Sequence, residues 1–135
     1  MLTRAGSIED RIQACRWNDA MYKASHQFAR IAATKVRPFS DLIRGKTAET
    51  ALRLLRYEPN RGARMVEKVL KSAMANAEDQ GARNVDGLIV VDSRTNNGPM
   101  LKRMFPRGRG VAYLIRRRFA HIHVGLDAAA GTAEE

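Results

Sequence analysis

From Ser93 to Leu126 the chain carries eight Arg or Lys residues and no acid. The run is centred on GPMLKRMFPRGRG, Gly98 to Gly110. Pro106, Gly108 and Gly110 exclude a continuous helix across that centre. What remains is two extended arms about a turn, Arg94 to Phe105 and Arg107 to Arg118. An arm of that length spans roughly 40 Å at about 3.3 Å per residue. A compact body of about 100 residues has a radius of gyration near 13 Å. The ribbon is therefore expected to overshoot the body that carries it. A two-stranded ribbon alone in water is marginal, and facing cations weaken it further. It is expected to be mobile when free and ordered on a partner. Met100, Leu101, Met104 and Phe105 have no core to enter. A loop kept only for solubility would mix acids with its bases. An acid-free ribbon calls for a polyanion.

The rest of the chain agrees. Its 135 residues fit one domain, and a 44% apolar share suffices for a folded core. The formal charge is +10, with a sequence pI near 10.6, the footprint of nucleic-acid binding. Arg outnumbers Lys by eighteen to six. Guanidinium forks onto phosphate and stacks on bases, which favours nucleic acid, and RNA first. Cys15 is the only cysteine, which excludes an intrachain disulfide and a cysteine metal set. No apolar run reaches the roughly 20 residues of a membrane span, and the first residues lack a secretory pattern. A cytoplasmic location is expected.

Residues 1–22 are read as an N-terminal extension. Ser7 and Asp10 resemble a capping box there, with Ile8, Ile12 and Cys15 on one helical face. Lys23 to Ile31 reads as a strand with imperfect alternation. Three helical stretches follow. The first lies within Thr34 to Arg44, with Val36, Phe39 and Ile43 on one face and Gly45 as the stop. Pro38 suits only a helix start and is expected to push Arg37 out of helical angles. The second runs from a Thr47 cap to about Tyr57, burying Ala48, Ala51, Leu52 and Leu55, with Pro59 beyond. The third starts near Asn60 and places Ala63, Val66, Leu70, Ala73 and Ala77 on one face before Gly81. Leu88 to Val91 reads as a buried strand, and Ala120 to Leu126 as a half-buried one. These two strands root the ribbon.

Several of these segments, taken in order, resemble one family. They are DLIRGK at Asp41 to Lys46, the helix Ala51 to Pro59, NRGARMVEKVLKSAMANAED at Asn60 to Asp79, GPMLKRMFPRGRG, and His121-Ile122-His123-Val124. Together they are similar to the large-subunit ribosomal protein L-twenty-two family of bacterial type, over roughly Ala24 to Leu126. The family usually reads Ser-Pro-Arg-Lys-Val-Arg before its first helix; here only Lys35-Val36-Arg37 is kept. Gly108, Val111 and Tyr113 also differ from its usual choices near the tip.

The resemblance implies an α+β fold: a three-stranded antiparallel sheet packed on three helices, with a long protruding basic β-hairpin. It implies an rRNA-binding domain over residues 23–127, a hairpin over 93–119 and a flexible tail over 128–135. The implied role is structural, in the large ribosomal subunit. There the domain binds large-subunit rRNA, assists assembly and lines the nascent-peptide exit tunnel with its hairpin tip. Large-subunit rRNA, neighbouring large-subunit proteins and the nascent peptide are the implied partners. The resemblance further implies a monomer within the ribosome, with no membrane, cofactor or catalytic role. The rRNA-binding candidates are Lys35, Arg37, Arg44, Lys46, Arg61, Arg64, Arg94, Arg107, Arg109, Arg116, Arg117 and Arg118. The exit-tunnel tip is expected at Met100, Leu101, Lys102, Arg103, Met104, Phe105, Pro106, Arg107 and Gly108.

Other constellations are thin. His121 and His123 flank Ile122 without a third ligand nearby and read as sheet-surface residues. Asp41 balances Arg44. Asp41, Glu67 and Asp92 are scattered singly and form no acid–base pair. Trp17 reads as a hydrophobic contact of the N-terminal helix, with stacking on a base as the alternative. Arg61, Arg64, Lys68 and Lys71 line one helix face, suited to solvent or phosphate. Two rivals stand beside the ribosomal reading. An architectural DNA-binding protein with a basic β-ribbon arm would need a dimer face. A nucleic-acid-processing enzyme would need a carboxylate or histidine cluster.

Overall fold

A computed structural model describes residues 22–128. The expected capping box at Ser7, the helix face with Cys15, the contact of Trp17 and most of the tail lie outside the described residues. The element order is β1 (Tyr22–Ala29), α1 (Ala33–Ile43), α2 (Ala48–Tyr57), α3 (Arg61–Asp79), β2 (Ile89–Pro106) and β3 (Ala112–Asp127). The strands form one antiparallel sheet in the order β1-β3-β2. The fold is α+β, three helices against a three-stranded sheet, and the sheet already includes Tyr22, opposite Leu126.

The core forms where the apolar periods of helices and strands meet. Val36 and Ile43 of α1, Ala51 and Leu55 of α2, and Val66, Leu70 and Ala73 of α3 are buried. They pack with Val90, Ile122, Val124 and Leu126 of the sheet. Fully burying one such Leu or Ile contributes about 1.5–3 kcal/mol. The Thr47 hydroxyl accepts from the Thr50 amide and caps α2. Gly45 and Gly81, at φ of 77° and 81°, mark the two expected helix stops.

Two expectations change. Arg37 and Pro38 both lie inside α1, with Pro38 at its sixth residue. Proline there removes one backbone bond and costs about 3 kcal/mol in a free helix. Pro38 faces solvent, while Val36, Ser40 and Ile43 are buried. Tertiary burial on that face outweighs the local preference. The imperfect alternation of β1 also has a cause. Its register shifts between His26 and Ala29, and Phe28 takes a positive φ of 56°.

The ribbon is also shorter than the sequence arithmetic suggests. Ser93 and Thr95 are buried, and the Thr95 and Ser40 hydroxyls share a hydrogen bond of 2.7 Å. The residues from Arg94 to Asn97 are thus still part of the body sheet. A second shift between Asn97 and Met100 sets Gly98 and Pro99 against Phe119 alone. This is a β-bulge, which bends and twists a strand. A Cβ on Gly98 would lie 3.1 Å from the Phe119 backbone, so glycine permits the close approach. Pro99 has no amide to donate and fits such a site. Beyond the bulge run seven cross-strand pairs, from Met100–Arg118 to Pro106–Ala112. That is roughly 23 Å of free ribbon at about 3.3 Å per residue. The reversal centres on Arg109 rather than Pro106: the Arg107 amide donates to the Val111 carbonyl at 2.8 Å, and Arg109 and Gly110 take positive φ. Pro106 instead ends β2, where its missing amide is least costly.

Candidate nucleic-acid interface

The ribbon sorts its side chains along its length. Nearest the body Met100 and Leu101 stand opposite Arg118 and Arg117, Lys102, Arg103 and Arg116 follow, and beyond them come Met104, Phe105, Val111, Tyr113 and Leu114. All are exposed, Met104 at 76% and Tyr113 at 60%. Two further cations, Arg107 and Arg109, hold the turn. The Arg107 guanidinium lies 5.0 Å from the Phe105 ring centroid, a cation–π contact that fixes it against the tip. Among the described residues, no cation from Lys102 to Arg118 pairs with a carboxylate. Seven uncompensated positive charges on a two-stranded ribbon form a strong anion-seeking surface. Of the expected tip residues, Met100 to Pro106 lie in the distal half of β2, and Arg107 and Gly108 enter the turn.

The other expected cations divide by what they touch. Lys35, Arg37, Arg61 and Arg64 are exposed on α1 and α3. Arg44, by contrast, is engaged by groups of the protein itself while still partly exposed. Its guanidinium donates to the Ser93 carbonyl and pairs with Asp41 at 3.2 Å, tying the end of α1 to β2. Arg94 pairs with Asp92 at 3.2 Å. Lys46 contributes its backbone, whose carbonyl accepts from the Val90 amide at 2.9 Å. Lys71 on α3 pairs with Glu67 at 2.6 Å, so part of that helix's cationic face is balanced.

Sequence reasoning missed how the ribbon root meets the helices. A concave groove of about 1180 Å³ opens there. Arg30, Lys35, Arg61 and Arg116 to Arg118 line it, with Phe39, Leu101 and Phe119 between them. Gly62 brings the starts of α1 and α3 together: a Cβ on it would lie 3.1 Å from the Lys35 carbonyl oxygen and 3.2 Å from the Phe39 ring. A signal existed. Ala20 to Ser40 is a second acid-free run, with Lys23, Arg30, Lys35 and Arg37.

The two histidines lie on the sheet face away from the helices. The Phe28 amide donates to His121 Nδ1 at 3.1 Å, and the two rings meet edge-on at 4.9 Å between centroids. Burial lowers the pKa of His123, and Arg94 and His121 lower it further against the opposing pull of Asp92. Burial likewise raises the pKa of Asp92, against the pull of Arg94, Arg44 and His123. Among the described residues no group of three His, Cys, Asp or Glu side chains is placed to hold a metal ion. No described helix is long and apolar enough to cross a membrane.

A small α+β body with an acid-free basic ribbon and a cationic groove at the ribbon's root has the charge pattern expected of the nucleic-acid-binding class of protein. Comparison with known proteins narrows the class. The profile of the family described as ribosomal protein L22p/L17e matches residues 24–127. The chain is 47% identical over 112 residues to large ribosomal subunit protein uL22 of Rhodopirellula baltica, covering 79% of this chain and 94% of that protein. It is 52% identical over 103 residues to the protein of the same name from Caldicellulosiruptor saccharolyticus, covering 76% and 84%. The chain belongs to the ribosomal protein L22p/L17e family.

Proposed function

We propose that this chain is a structural constituent of the large ribosomal subunit that binds large-subunit rRNA and helps it fold during assembly. The observation that carries this reading is the ribbon's run of cations, with no carboxylate partner among the described residues. Such a surface repels itself and is stabilised beside a dense anion, and folded rRNA supplies one. The names of the relatives, which are large-subunit proteins, supply the setting. Within it, the cationic part of the ribbon anchors in rRNA. The apolar distal part, from Met104 through the turn to Leu114, faces the nascent-peptide exit tunnel. Neighbouring large-subunit proteins and the nascent peptide complete its surroundings.

Two experiments test this. Tagged protein expressed in cells should co-sediment with large subunits through a high-salt wash; recovery as a free dimer on duplex DNA would replace the ribosomal reading with the architectural one. In vitro, replacing Arg116, Arg117 and Arg118 with Ala should lower rRNA affinity. It should also flatten the salt slope by roughly 2 to 3, at about 0.7–0.9 per phosphate. An unchanged slope would mean that these side chains do not reach phosphate.

A further inference from the structure

The groove at the ribbon's root differs in character from the ribbon itself. Six cations line it and no acid does. Half-buried Phe39 and Phe119, together with Ile31, Pro38 and Leu101, interrupt those cations with apolar surface. The starts of α1 and α3 also reach it, through Ala32 and through Asn60, Arg61 and Gly62. Neither helix has an acid in its first turn or a side-chain cap. The Asn60 amide group donates to Glu58 instead. Both helix starts thus present the positive ends of their dipoles towards the cations.

A purely electrostatic seat for a duplex would gain nothing from aromatic walls, because duplex bases are stacked inside. Unpaired nucleotides use both kinds of wall: phosphates meet the guanidinium, ammonium and helix-start amides, while a splayed base lies on an aromatic ring or an Arg plane. Size points the same way. At about 1180 Å³ the groove is slightly larger than small-ligand sites, roughly 300–1,000 Å³. That suits a few nucleotides and not the breadth of a helix.

We propose that this groove holds a short unpaired segment of RNA, its phosphates on Arg30, Lys35, Arg61 and the Arg116–Arg118 run, and one base against Phe119 or Phe39. The proposal rests on the rRNA-binding reading above and specifies which RNA structure the body selects. It gives the body a recognition role separate from the ribbon's. The unpaired segment fixes the protein's position, and the ribbon then runs out from that point.

The test uses the full chain and three labelled probes of matched length: an unstructured oligouridine, the same oligomer with an abasic centre, and a blunt RNA duplex. Fluorescence anisotropy at fixed salt should show the oligouridine bound more tightly than the other two. The double variant Lys35→Glu, Arg61→Glu alters two exposed side chains, and circular dichroism should show its fold intact. It should lose about tenfold in affinity for the oligouridine and less for the duplex. Thiouridine photo-crosslinks should fall on the peptides containing Phe39 or Phe119. Equal binding of abasic and intact oligomers would overturn the base contact. Equal losses for single strand and duplex, or crosslinks confined to the ribbon turn, would overturn the groove assignment. Displacement of the oligomer by polyglutamate as readily as by RNA would assign the groove to an acidic protein segment. If the wild type binds rRNA steeply with salt and the double variant does so unchanged, the groove assignment fails alone. If no rRNA binding is found, both readings fail.

Discussion

Lys102 stands directly across the β2–β3 ladder from Arg116. Opposed residues on one sheet face have Cβ atoms about 4.5–5.5 Å apart, and like charges so placed destabilise the pair. The next pair towards the body on that face sets Met100 against Arg118, which adds a third cation. The strain is local, lies outside the core, and is relieved by any polyanion that reaches it. This cross-strand repulsion predicts that the ribbon gains order when a polyanion binds.

Lys102→Thr replaces one of the opposed cations with a strand-forming residue. Ribbon amides from Met100 to Arg118 should then exchange more slowly in the free protein, by roughly twofold to fivefold at low salt. The gain should shrink as salt rises, and rRNA affinity should fall. Hydrogen exchange read by mass spectrometry reports the first effect. A variant that exchanges faster than wild type would contradict the repulsion.

Removing Leu101 to Arg103 shortens one arm beyond the bulge and leaves every core contact in place. The body should melt within about 2 °C of wild type, under roughly half a kcal/mol for a domain of this size. In assembled ribosomes the deletion should change the response to tunnel-binding macrolides, because it moves the apolar tip. Loss of the body's cooperative melt would show that the ribbon is part of the core.

Gly62 is where α3 starts against α1. A Cβ there would meet the Lys35 carbonyl oxygen, a backbone atom that cannot swing aside. Gly62→Val should cost about 1–3 kcal/mol in urea unfolding, the usual range for overpacking. It should also weaken RNA binding by spreading the two helix starts. Wild-type stability in this variant would mean that the helices part without cost.

Acid should act on the sheet face through His123. Its pKa is lowered from 6.5 by burial first, so the folded state binds that proton less well than the unfolded chain. The stability this contributes is present above 6.5 and is lost as pH falls through the lowered value. His123→Gln should therefore reduce the drop in melting temperature between about pH 7 and about pH 5. Asp92 has the opposite slope. Its raised carboxyl favours the fold below 3.8 and disfavours it as pH rises through the raised value. Asp92→Asn should melt higher than wild type at neutral pH and converge with it below 3.8. An unchanged acid slope in His123→Gln would remove the histidine from this account.

Helices α2 and α3 were legible because their ends are local chemistry: a Thr47 cap, a Gly81 stop, and an apolar face that repeats without interruption. Helix α1 was harder. Its proline argues against a helix at the level of neighbouring residues, and only the burial of Val36, Ser40 and Ile43 overrules it. The cations were legible one by one, but their employment only in part. The spacing of Asp41 and Arg44 foretold their pair, but nothing in sequence showed that Arg44 also reaches the Ser93 carbonyl or that Arg94 pairs with Asp92.

The sequence by itself determined that a basic ribbon exists, because glycine, proline and an acid-free run of cations leave few other conformations and a clear charge. Tertiary structure decided where that ribbon leaves the body. Packing of Ser40 on Thr95 holds four more residues in the sheet, and the bulge at Gly98 and Pro99 marks the exit. It also decided that two acid-free runs, far apart along the chain, share one groove. The pairing of Ala29 with Ala120 and the hydrogen bond between Ser40 and Thr95 bring them together, and such contacts depend on how the elements pack rather than on any local pattern.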